Sequence, residues 1–204
     1  MLLKRLWQEG NIVHFACHGK FDLEKPFESE LFLAEERFTL REIFEELKLP
    51  KTDMVTLSAC ETGINKIEPG GEYIGLSAGF LYAGANTVIS SLWTVDDLST
   101  SLLMEKFYDN VLNQKMGKAK ALKHAQQYVR DISNKEVKLL INELTEDIKR
   151  QASLQQERSV RESLEERKNR FLIEKGKYNS KPDDDKPFAH PYYWGAFVCN
   201  GKWD

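Results

Sequence analysis

The 204-residue sequence predicts an α/β fold built on an open, mostly parallel sheet. Three observations predict it. Short apolar runs at 12–17, 54–59 and 87–92 read as strands buried on both faces, as parallel strands are. Segments with helical spacing of apolar residues separate them. The first two runs end in polar, glycine-containing segments, His18-Gly19 and Cys60-Glu61-Thr62-Gly63, and in such folds the chemistry sits beyond the C-terminal ends of the strands.

The elements follow in order. Ile12 to Cys17 (Ile-Val-His-Phe-Ala-Cys) is the first strand, and Leu31-Phe32-Leu33 is a weaker candidate. Thr39 caps a helix over Leu40 to Leu47, with Glu42 at capping-box spacing, and Pro50 lies beyond its end. Met54 to Ala59 is the second strand. Pro69-Gly70-Gly71 is a loop. Glu72 to Ala83 is a helix whose small residues, Gly75, Ala78, Gly79 and Ala83, permit close packing on a sheet. Thr87 to Leu92 is the third strand. Asp97 or Ser99 caps the next helix, where Met104, Phe107, Tyr108 and Val111 share a face. Lys118 to Ile132 aligns Leu122, Ala125, Val129 and Ile132 on another helix, and Trp194 to Cys199 is the last strand.

Charge divides the chain. Residues 133–187 hold 12 acidic and 13 basic residues in 55 positions, against 36 charged residues in the other 149. The sequence therefore predicts an α/β body over 1–132, a charged helical insertion over 133–187 and a return to the body at 188–204. Within the insertion Val137, Ile141, Leu144 and Ile148 form a helical stripe. Two charged helices, arranged as a hairpin, and then a mobile stretch to Pro187 are expected. The formal net charge of -3 argues against direct nucleic-acid binding. No apolar run approaches membrane-span length, and the first ten residues lack the pattern of a signal peptide. Three cysteines, Cys17, Cys60 and Cys199, cannot all pair within the chain, so reduced thiols in a cytoplasm are expected.

His18 and Cys60 are the residues best placed for chemistry. A connection of this length, containing one helix, suits neighbouring parallel strands, and two side chains just past adjacent strand ends can meet. An imidazole beside a thiol favours the nucleophilic thiolate. Gly19 has no Cβ to hinder approach of its N–H to an oxyanion, and the Cys60 N–H is a second donor. The alternative reading makes His18 a strand-end histidine and Cys60 a small core residue. On an alternating strand Cys17 points away from His18, so it reads as a core thiol, and Cys199 as packing. His14 shares the face of His18 and reads as a hydrogen-bonded structural histidine. Alternation splits His14, Cys17 and His18 between faces, so no metal site is expected from them.

Five ordered blocks carry a resemblance. Asn11-Ile-Val-His-Phe-Ala-Cys-His-Gly19 resembles the histidine motif of the CHAT family, caspase-like domains often found behind tetratricopeptide repeats, and Leu57-Ser-Ala-Cys-Glu-Thr-Gly63 resembles its cysteine motif. Residues 70–86, 91–97 and 191–197 resemble further blocks in the same order. The resemblance implies a caspase-like three-layer sandwich and a cysteine-peptidase dyad that needs no cofactor and no metal. It maps the general base and acid to His18, the nucleophile to Cys60 and the oxyanion hole to the backbone of Gly19 and Cys60. In the related separases an acidic residue of a similar Leu-Trp-x-Val block binds a P1 arginine. That maps a P1 pocket to Asp97, with Asp96 as the alternative, unless either aspartate only caps the following helix. Glu61 is a supporting residue of the loop and a candidate to orient His18.

Two departures from the family pattern stand out. The charged segment interrupts the usual run of the last helix into the Pro-x-x-Trp strand. Relatives also carry a further strand and helices before the histidine strand, so an N-terminally truncated fold is expected. The leading expectation is a cytoplasmic cysteine endopeptidase acting on a protein substrate and regulated by an attached or separate sensor, such as a repeat-containing partner. The alternative is a catalytically silent interaction module that binds a protein partner through the charged insertion. A third reading takes Gly70-Gly71 as a phosphate loop, but the Walker Lys-Ser/Thr is missing and Glu68 and Glu72 flank the glycines.

Overall fold

The structure is a computed structural model and describes residues 9–33, 36–58, 66–67 and 73–204. The chain forms two compact units, one comprising residues up to 129 together with 191–204, the other residues 130–190.

The first unit is a mixed α/β sandwich centred on a four-stranded sheet. Strands β1 (Ile12–Phe15), β5 (Met54–Leu57), β8 (Thr87–Ser91) and β9 (Phe197–Gly201) lie in that order. The first three are mutually parallel, and β9 returns antiparallel to β8. All residues of β5 and β8 are buried, the small polar Thr56, Thr87, Ser90 and Ser91 included. Between β1 and β5 the chain builds a small antiparallel sheet of β2 (His18–Lys20), β3 (Glu30–Phe32) and β4 (Arg37–Thr39). Helix α1 (Leu40–Glu46) follows, with the Thr39–Glu42 capping box formed in both directions. A two-stranded ribbon of β6 (Lys66–Ile67) and β7 (Tyr73–Ile74) precedes α2 (Leu76–Tyr82).

Val13, Phe15, Val55, Leu57 and Val88 bury one sheet face in a single core with Leu40 and Ile43 of α1 and Leu76 and Phe80 of α2. The phenyl rings of Phe15 and Phe80 lie 5.2 Å apart. Gly79 lets α2 pack tightly on α1: a Cβ there would sit 2.5 Å from Leu40 Cδ1 and 3.0 Å from Ile43 Cγ2. Gly84, at φ +113°, ends α2 in a left-handed conformation that glycine adopts without penalty. Alternation places His14 and Thr56 on the opposite face, where α3 (Asp97–Tyr108) and α4 (Lys118–Asp131) run. Tyr108 donates a hydrogen bond to Thr56, and Gln126 donates to the Phe197 carbonyl.

Several boundaries differ from the sequence expectation. The run Ile12–Cys17 is not one strand: β1 stops at Phe15, the chain bends at Cys17, and His18 opens β2 in another sheet. Alternation therefore does not carry from His14 to His18. The helix expected over 72–83 starts at Leu76, because Tyr73 and Ile74 pair with Ile67 and Lys66. The cap of α3 is Asp96 rather than Asp97 or Ser99, and the last strand starts at Phe197 rather than Trp194.

The second unit is a helical hairpin of α5 (Asn134–Leu154) and α6 (Arg158–Asn179). Ser133 and Glu136 form a second complete capping box at the start of α5. The buried line of α5 runs through Val137, Ile141, Thr145, Ile148 and Ala152. Thr145 takes the place expected of Leu144, its hydroxyl donating to the Ile141 carbonyl at 2.6 Å. The segment expected to be mobile up to Pro187 is instead tied to the helix start. Asn134 Nδ2 donates to the carbonyls of Tyr178, Lys181 and Pro182 at 2.9–3.0 Å. The backbone N–H groups of Asn134 and Lys135, which lack intrahelical acceptors, donate to the carbonyls of Asp185 and Asp183. Among the described residues no helix is long and apolar enough to cross a membrane.

Candidate active site

The pairing of β1 with β5 sets the geometry of the site. Phe15 and Leu57 are register partners and the last residues of their strands. The Ser58 N–H donates to the Phe15 carbonyl at 3.0 Å and extends the ladder by one more bond. His18 follows Phe15 by three positions in the sequence, and Cys60 follows Leu57 by the same three. The two strands that precede the expected dyad thus end at one register level. His18 is exposed at the start of β2, opposite Phe32, and Gly19 is half-buried opposite Leu31. Cys60 and Glu61 lie outside the described residues.

The other sulfur atoms occupy different surroundings. Cys17 is half-buried and packs against the core that contains Val13 and Phe15. Burial pushes its thiol pKa up, so it stays protonated and a poor nucleophile at neutral pH. Cys199 in β9 is likewise half-buried, and burial raises its pKa against the opposing pull of Lys118.

Beyond β8 the chain turns past Trp93, whose indole N–H donates to the Tyr192 carbonyl at 3.0 Å. The Leu92 N–H donates to the Ala196 carbonyl at 2.9 Å. The turn at 191–195 is tight: a Cβ on Gly195 would come within 2.9 Å of the Pro191 carbonyl oxygen. The two aspartates that follow are not equivalent. Asp96 is extended at φ -78°, ψ 135°, and its Oδ1 accepts the Ser99 N–H at 2.9 Å. That carboxylate is committed to capping α3. Asp97 is the first residue of the helix and is exposed.

The structure also assembles a polar chain that supplies the partners of the hydrogen-bonded His14. His14 Nε2 lies 2.8 Å from Ser58 Oγ, and His14 Nδ1 lies 3.1 Å from the Tyr108 hydroxyl. Tyr108 in turn donates to Thr56 Oγ1 at 2.9 Å. His14 remains solvent-exposed in part, and the burial it does have lowers its pKa and favours the neutral ring. Burial also raises the Tyr108 pKa, against the opposing effect of the hydrogen bond to Thr56. A signal was present in the sequence: Thr56 and Ser58 are polar residues in and just after a run whose neighbours are apolar. In the helical pattern Tyr108 reads only as one more member of an apolar stripe.

A family model, the CHAT domain, matches residues 2–202. The chain belongs to the CHAT domain family. The match covers the sheet-centred unit and the charged helices alike. A comparison with curated proteins gives no match.

Proposed function

We propose that this CHAT domain is a caspase-like cysteine endopeptidase acting on a protein substrate, with Cys60 as nucleophile and His18 as general base and acid. The observation that carries the reading is the shared register of β1 and β5. Two strands paired at Phe15 and Leu57 each lead, after three residues, to one member of the pair. The Cys60 thiolate adds to the peptide carbonyl carbon, and the N–H groups of Gly19 and Cys60 hold the resulting oxyanion. The C–N bond then breaks as His18 gives its proton to the leaving amine. Water, deprotonated by His18, opens the thioester and frees the thiolate. A reducing, cytoplasmic setting keeps Cys60 available, and an attached or separate sensor regulates turnover.

Asp97 is the proposed P1 carboxylate. Asp96 is engaged by the Ser99 N–H, which favours Asp97 of the two. An exposed carboxylate closed over by substrate suits a guanidinium, which gives paired charge-assisted hydrogen bonds.

The test is turnover of a peptide library by the purified chain and by Cys60→Ala. Cleavage after basic residues by the parent and none by the variant is the expected result, and equal turnover by both removes the proposal. Asp97→Ala should lose the preference for arginine. A preference left unchanged discards the P1 assignment and leaves the dyad standing.

A further inference from the structure

The four members of the His14 chain come from three elements. Thr56 and Ser58 lie in and just beyond β5, His14 lies in β1, and Tyr108 is the last residue of α3. The bonds therefore tie three elements together beside the strand ends. One proton order satisfies all of them. Tyr108 gives its proton to Thr56, its oxygen accepts from His14 Nδ1–H, and His14 Nε2 accepts the Ser58 hydroxyl proton. The two rings lie 5.6 Å apart, and rotation of the imidazole would break both bonds.

The position of this chain matters more than its strength. His14 is four residues before His18, and Ser58 is two residues before Cys60. The side-chain bond between His14 and Ser58 and the backbone bond between Ser58 N–H and Phe15 C=O cross the same strand pair at the same end. Together they fix the separation and twist of β1 and β5 where the chain departs toward the two proposed catalytic groups. A shift of about 1 Å between such groups costs as much as 100-fold in rate.

We infer that His14, held between Ser58 and Tyr108, is a positioning residue that sets the alignment of His18 with Cys60. The inference rests on the dyad proposed above. It gives His14 no contact with substrate. Its effect passes through Ser58 and the strand register, so it acts on the chemical step and leaves substrate affinity alone.

The experiment measures peptide kcat and KM, and the rate at which iodoacetamide alkylates Cys60, read by peptide mapping. It uses the full chain carrying His14→Ala, His14→Gln, Ser58→Ala and the His14→Ala/Ser58→Ala double substitution, with His18→Ala as reference. The expected result for His14→Ala is a fall of about tenfold or more in kcat and in Cys60 alkylation, with KM unchanged. His14→Gln, which retains a donor and an acceptor, should recover part of the loss. The double variant should lose no more than His14→Ala alone, because Ser58→Ala cuts a bond that His14→Ala has already removed. Unchanged kcat and alkylation in a folded His14→Ala protein overturn the inference. So do losses that multiply in the double variant, or a loss that appears only in KM. If His18→Ala alkylates at the parental rate, the dyad itself is wrong and the role of His14 falls with it. If only His18→Ala slows alkylation, the dyad stands and His14 has no part in it.

Discussion

In the sheet-centred unit Leu40, Ile43, Leu76, Phe80 and Val88 are completely shielded from solvent, whereas along the 22 residues of α6 only Tyr178 is buried. The first unit is held by apolar surface removed from water on both faces of a sheet. The hairpin relies more on its ends: a capping box at Ser133, the three-carbonyl clamp of Asn134, and ion pairs one helical turn apart, such as Lys149–Glu146 and Arg158–Glu162. Exposed pairs of that kind contribute little each. One unit is thus sensitive to the volume of single side chains, the other to a few hydrogen bonds at its helix termini.

The largest test of that contrast is a pair of truncations. Phe80→Ala should cost about 3–5 kcal/mol, because a fully buried ring against Phe15 leaves a cavity between α2 and β1. Leu172→Ala, at a residue 46% exposed on α6, should stay within about 0.5 kcal/mol. Urea unfolding of both proteins checks this. Equal losses would mean that the hairpin hides as much apolar surface per residue as the sheet does.

Asn134→Ala is next in size. It removes one donor group from three carbonyls at once and should cost about 1–3 kcal/mol. The effect should be local. Amide exchange should accelerate at Asn134 and Lys135, whose N–H groups depend on the same returning segment, and stay unchanged in β5 and β8. Acceleration throughout the sheet would break the division into two separately stabilised units.

The smallest effects concern acid. In the sheet-centred unit burial raises the Asp53 pKa, but the hydrogen bonds from Lys118 and Asn86 outweigh it and hold the carboxyl below its usual value of 3.8. A carboxylate depressed in the folded state contributes stability above its unfolded pKa and loses it as the pH falls through the folded value. Asp53→Asn should therefore flatten the stability curve below about pH 4 and leave neutral pH little affected. In the hairpin unit the Arg130 hydrogen bond holds Asp131 at about 2, down from 3.8. Carboxyl NMR should find that midpoint, and Arg130→Gln should move it back up. Because Asp131 is exposed, this titration should leave the unfolding midpoint nearly unmoved.

Much of the fold is legible in the residues. The short, mainly apolar or β-branched runs of β5 and β8, the Thr39–Glu42 box and the amphipathic pattern of α4 are local signals, and each appears where its pattern places it. The boundaries that moved did so for non-local reasons. β1 ends at Phe15 because the chain leaves for a second sheet, where His18 pairs with Phe32. Tyr73 and Ile74 join a ribbon with β6 instead of α2. Asp96 became the cap because its backbone is extended there, a state that three neighbouring polar residues in sequence do not distinguish. At the candidate site the motifs point to His18, Gly19 and Asp97 as expectations, whereas the coupling of His14 to Ser58 and Tyr108 carries no motif. Those residues lie 44 and 94 positions from His14.

The sequence by itself determined which segments are apolar enough to become buried strands, where helices are capped, and that positions 133–187 are too charged to form the same kind of interior. Those properties depend on composition and on spacing over a few residues. Only the tertiary structure decided that β1 and β5 are register partners, that a three-stranded sheet occupies the connection between them, and that one imidazole is shared by a serine and a tyrosine from distant segments. Strand partnership is chosen by the free energy of the whole packed layer, and no local window of sequence contains that sum.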